Sequence, residues 1–139
     1  MRRTLFVLMM SVLLCTACID EPAEVSGEPD VAGTMVTTFS DGSGGRPAEY
    51  QLRIIANRNK IENKKEFTEQ VLQMFRDNGF QSVRFSFDMG YPVGLHADVY
   101  LTEQDVELGD VTMTIDYVQD DGLQYSLLEN PEEFQLKIR

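Results

Sequence analysis

The stretch NKKEFTEQVLQMFRDNG, residues 63–79, decides the fold class because its apolar spacing has one reading. Phe67, Val71, Met74 and Phe75 fall at i, i+4, i+7 and i+8, and Leu72 broadens the stripe. That period belongs to an amphipathic helix with one face to bury. Asn63 can cap its start, with Glu66 three residues on completing a capping-box-like pair. Gly79, after Asn78, offers the left-handed residue that stops it.

Working outward, the segments around this helix have β character. Before it, residues 50–56 place Tyr50, Leu52, Ile54 and Ala56 on one side and Gln51, Arg53 and Ile55 on the other. Residues 34–39 have strand composition but weak alternation, and residues 41–47 and 57–62 are polar loops. After the helix, Val83, Phe85, Phe87 and Met89 alternate with Ser82, Arg84, Ser86 and Asp88. A turn is expected at residues 90–94, with Val99 and Leu101 continuing beyond it. Val111, Met113, Ile115 and Tyr117 predict a further strand, and Asp120-Asp121-Gly122 a hairpin turn into Leu123, Tyr125 and Leu127. Phe134, Leu136 and Ile138 close the series.

The expected fold is α+β, in the order β-α-β-β-β-β-β. One parallel pair spans the helix and antiparallel hairpins follow, giving a two-layer domain with the helix on one face of a mainly antiparallel sheet. The opposite face carries Ser, Thr, Arg and Asp, so it meets water or a partner.

The N-terminal residues describe an address. Met1-Arg2-Arg3 is a short basic start, residues 5–14 are apolar, and Cys15-Thr16-Ala17-Cys18 follows. The apolar run is well short of the roughly 18–20 residues that span hydrocarbon, so a signal peptide is favoured over a membrane helix. The segment resembles the bacterial lipoprotein class, whose lipobox sets a small residue immediately before the lipidated cysteine. Ala17 and Cys18 match those positions; Cys15, where the class usually has Leu, departs from the pattern, and bulky Leu14 rules it out as acceptor. The resemblance implies removal of residues 1–17 and a diacylglycerol on Cys18, with palmitate-like acyl chains as the anchor. Residues 18–33 are then expected to form a flexible acidic tether, and residues 34–139 a single domain.

Composition narrows the chemistry. The net charge is −11, and loss of Arg2 and Arg3 leaves 10 basic residues against 23 acidic ones, or −13. Nucleic acid is therefore an unsuitable partner. No cysteine follows Cys18, so the domain has no disulfide, and a single histidine excludes the usual zinc ligand sets. No Gly-x-Ser-x-Gly elbow is present, and the glycines of residues 41–47 lack the lysine and helix of a phosphate loop. No cofactor is expected.

Three clusters are candidate sites. In the expected hairpin around residues 90–94, one register sets Asp88 opposite Asp98, a like-charge pair that calls for a cation. The other, preferred on electrostatics, sets Asp88 opposite His96 as an ordinary surface contact. Glu103, Asp105, Glu107 and Asp110 form an acidic cluster whose alternation at 103, 105 and 107 resembles a calcium loop, but Leu108 and Thr114 stand where an EF-hand needs glycine and glutamate. These residues are expected to form a solvated turn. The third cluster is basic: Arg58, Lys60, Lys64 and Lys65 gather near the helix start, where lysines oppose the macrodipole and an anion would relieve them.

The expectation is a non-enzymatic, lipid-anchored envelope protein on the extracytoplasmic side of a membrane, a binding or assembly module for an envelope protein or polymer. A small carboxylate-based hydrolase or metal-binding protein, and a periplasmic inhibitor or immunity-type partner, are the alternatives.

Overall fold

A computed structural model describes residues 27–40, 42, 45–120 and 122–139. Among these residues, five strands form one sheet in chain order: β1 (Asp30–Thr38), β2 (Pro47–Ile55), β3 (Tyr91–Tyr100), β4 (Met113–Gln119) and β5 (Phe134–Ile138). Helix α1 (Lys64–Arg76) joins β2 to β3, a short helix α2 (Glu103–Leu108) joins β3 to β4, and a 3-10 turn (Pro131–Glu133) leads into β5. Only β2 and β3 are parallel; the other neighbours are antiparallel. The α+β class, the mainly antiparallel sheet and the parallel pair across the helix thus agree with expectation. The order does not: it is β-β-α-β-α-β-β.

Helix α1 follows its sequence signals closely. Phe67, Val71, Leu72 and Phe75 are buried against Tyr50, Leu52 and Ile54 of β2, Leu95, Ala97 and Val99 of β3, and Met113 and Ile115 of β4. Asn63 accepts from the Glu66 N–H at 3.1 Å. Buried Thr68 is satisfied within the helix, donating to the Lys64 carbonyl at 2.7 Å. The stop differs from expectation by one residue. Asn78, not Gly79, is left-handed at φ 54°, and the Asn78 and Gly79 N–H groups return to the Phe75 and Met74 carbonyls. That is a Schellman closure with asparagine in place of glycine.

Asparagine at that position explains the first missing strand. Its side-chain amide donates to the Phe85 carbonyl at 2.9 Å and accepts from the Phe85 N–H at 2.8 Å. Residues 82–89 are therefore fixed by a side chain and not by a sheet ladder. Their phenylalanines turn inward: Phe85 stacks on Phe87 at 5.7 Å, and Tyr50 and Phe75 meet both rings. The alternation identifies Phe85 and Phe87 as inward-facing but fails at Met89, which is 64% exposed, and it carries no information on backbone partners. Asp30 secures the same segment from β1, accepting from the Ser82 hydroxyl and, at 3.1 Å, from its N–H. Burial acts to raise the Asp30 carboxyl, but the hydrogen bonds from Ser82, Val31 and Gln81 outweigh it and hold the pKa below the ordinary value.

Residues 90–94, expected as a turn, instead lead into β3. Pro92 is tolerated because β4 begins pairing only at Gly94, while the β2 pairing shifts register beside it, between Ala48 and Glu49. Residues 123–127, expected as a strand, form a looped segment in which Leu127 is fully buried. Gln119 does there what Asn78 does upstream. Its amide accepts from the Tyr125 N–H at 3.1 Å and donates to the Tyr125 and Val93 carbonyls at 3.1 and 3.0 Å.

Two further expectations are corrected. The fold begins before residue 34, since Gly27 donates to the Asn57 carbonyl at 2.8 Å, Pro29 and Val31 are buried, and β1 starts at Asp30. Residues 103–108 are helical, not a solvated turn. Thr102 and Asp105 form a reciprocal capping box, and Gly109 closes the helix in the left-handed region at φ 68°.

Candidate functional site

The side of the sheet opposite α1 is the principal candidate surface. Strand alternation sends every second side chain there, and the register lines them up in rows. One row runs Gln51, His96, Asp116, Lys137 across β2, β3, β4 and β5; its neighbour runs Arg53, Asp98, Thr114. Arg139 continues the second row, exchanging backbone hydrogen bonds with Thr114 at 2.8 and 3.0 Å.

At the centre, His96 Nδ1 lies 2.7 Å from one Asp116 oxygen, and the Arg139 guanidinium holds the other. The Asp116 side chain is 18% exposed against 38% for His96 and 70% for Arg139, so the carboxylate is the sheltered member. The surrounding depression, about 140 Å³, is completed by Gln51, Asp98 and Thr114. It offers imidazole and guanidinium donors beside two carboxylates. That mixture suits hydrogen bonding to a polar surface more than capture of an ion of either sign.

His96 thus meets an aspartate, as expected, but on β4 and not at position 88. Asp88 sits in the turn before β3, and Asp98 lies toward the far end of that strand, in register with Arg53 and Thr114. Neither register of the expected hairpin forms, so Asp88 meets neither His96, as preferred, nor Asp98, as in the alternative with a cation. Among the described residues no group of three or more His, Cys, Asp or Glu side chains gathers to hold a metal ion. Asp105 is committed to its cap, accepting from the Thr102 N–H at 3.0 Å and from its hydroxyl at 2.8 Å.

The helix start forms a second, larger hollow of about 770 Å³, in which Arg58, Lys60, Glu62, Glu66 and Phe67 are prominent. Arg58 lies over the Phe67 ring at 5.0 Å. Lys60 sits 2.8 Å from Glu62 and lowers the pKa of that carboxyl. Glu28 and Glu66 also line the hollow, and Lys64 and Lys65 are exposed on the first turn. The basic residues are therefore interleaved with carboxylates, and the Glu66 N–H is already capped by Asn63.

Cys18, Ala17 and the whole expected leader lie outside the described residues, as does most of the expected tether. No helix among the described residues is long and apolar enough to cross a membrane. No family model, curated protein or solved structure matches the chain.

Proposed function

We propose that this chain is a lipid-anchored envelope protein. In this reading Cys18 carries the anchor, and the α+β domain is a non-enzymatic module that binds an envelope protein or polymer on the extracytoplasmic side of the membrane. One observation carries the reading: an apolar run over residues 5–14 followed by Thr16-Ala17-Cys18, with no other cysteine beyond it. Two acyl chains on one residue give stable attachment, where a single chain is marginal. The open sheet face, with Asp116 between His96 and Arg139, is the contact surface that this reading assigns.

The test is to express the full chain and a Cys18→Ala variant in a bacterial host fed an alkyne-tagged fatty acid. The parent is expected to lose residues 1–17, to carry a diacylglyceryl mass on Cys18, and to partition into detergent. The Cys18→Ala chain is expected to take up no label. A parent product that keeps its leader, or that is cleaved without an acyl mass, overturns the anchoring.

A further inference from the structure

The two edges of the sheet are built differently. β5 is a five-residue strand with Lys137 on it, and a short, charged edge discourages pairing with another chain. β1 has nine residues and ends the sheet on the other side. From Val31 to Ser40 it carries no Asp, Glu, Lys or Arg, the longest such run in the described residues. It contains no proline, and its only irregularity is the bulge between Val31 and Gly33.

The direction of the free hydrogen-bonding groups follows from the register. Phe39 donates to the Pro47 carbonyl at 2.8 Å, which makes this a hydrogen-bonded pair of the antiparallel ladder. Such pairs alternate, so Thr37 and Met35 also bond toward β2, while Thr34, Val36 and Thr38 direct N–H and C=O away from the sheet. The side chains of Thr34, Val36 and Thr38 share a face with Leu52, Tyr50 and Ala48 and are themselves exposed, Val36 at 44%.

We propose that β1 pairs antiparallel with β1 of a second copy of this chain, about a two-fold axis at Val36, joining two sheets into one. The outward series Thr-Val-Thr reads the same in both directions, so a two-fold axis at Val36 sets like residues opposite one another. Val36 then faces Val36 of the other copy, and Thr34 faces Thr38, each donating and accepting one backbone hydrogen bond. Like net charges repel, so charge decides where on the surface a second copy can dock. Two bodies of net charge −11 can approach closely only where neither presents an acid, and residues 31–40 are such a strip. The pairing does not depend on the lipid anchor.

The experiment is sedimentation of the full chain in a mild non-ionic detergent, with amide hydrogen exchange on the same samples. The parent is expected to move from monomer to twice the monomer mass as concentration rises. Slowed exchange at Thr34, Val36 and Thr38 should appear together with the dimer. Val36→Lys places a charge on the axis, and Val36→Pro removes an N–H that the protein's own sheet does not use; both are expected to give monomer with an unchanged circular dichroism spectrum. Gln135→Lys, on the opposite edge, should leave the dimer intact. A parent that stays monomeric at the highest concentration overturns the proposal, and so does a dimer that survives both Val36 variants. Protection of Thr34, Val36 and Thr38 in the monomer also overturns it, because that outcome assigns the edge to another segment of the same chain.

Discussion

Two carboxamides fasten segments of this domain that are neither strand nor helix. Asn78 and Gln119 each present an amide oxygen to a backbone N–H and an amide nitrogen to the carbonyl of the same residue, Phe85 in one case and Tyr125 in the other. Each copies one rung of an antiparallel ladder with a side chain. Gln119→Glu keeps the acceptor but sets a carboxylate against the carbonyls of Val93 and Tyr125. The expected loss is about 1–3 kcal/mol at neutral pH, read from urea unfolding. A carboxyl placed there has its pKa raised by folding, so the loss should shrink as pH falls through that raised value and the protonated group donates again. Such a residue is hard to recognise in a sequence. Alternation marks Phe85 and Phe87 as inward-facing, which they are, but nothing in residues 82–89 says that the partner is a side chain at position 78. His96 illustrates the same limit: an aspartate contact was legible, its identity was not, because strand register depends on where the neighbouring strand begins.

Among the elements, α1 was the most legible because its signals are local: cap, stripe and stop lie within residues 63–79. The short helix α2 is hard to read from sequence although its signals are also local. Thr102, Asp105 and Gly109 mark both ends of Glu103–Leu108, but none of its residues is buried, so no apolar stripe drew attention to them. β1 is faint in the sequence for a related reason, since an edge strand with Thr34, Val36 and Thr38 exposed shows little alternation. The first residues of β3 are disguised because proline and glycine at 92 and 94 normally interrupt a central strand; here β4 stops pairing before it reaches the proline. Within α1, the first turn holds two lysines at the positive end of the helix dipole. Lys64→Glu is expected to stabilise the domain by about 0.3–1 kcal/mol at low ionic strength, an increase in thermal midpoint that fades as salt is added. A midpoint that falls would show that Lys64 makes a favourable contact worth more than the dipole.

For the molecule as a whole, charge is the dominant long-range force. With 23 acidic and 12 basic residues, compaction works against self-repulsion. Salt at about 0.1 M shortens the reach of exposed charges to about 10 Å. Thermal melts followed by circular dichroism are therefore expected to rise by several degrees between very low and moderate salt. An unchanged midpoint would mean that local pairing has already cancelled the repulsion. The early start of the fold has a geometric consequence of its own. Once Gly27 is bonded to Asn57, eight residues separate the first anchored position from Cys18, and the nine steps between the two stretch to about 30 Å at most. Under the proposed anchoring, this is a short leash: the domain stays within about its own diameter of the bilayer. The rim holding Glu28, Arg58 and Lys60 is then the part nearest the headgroups, and any partner must come to the membrane to be met.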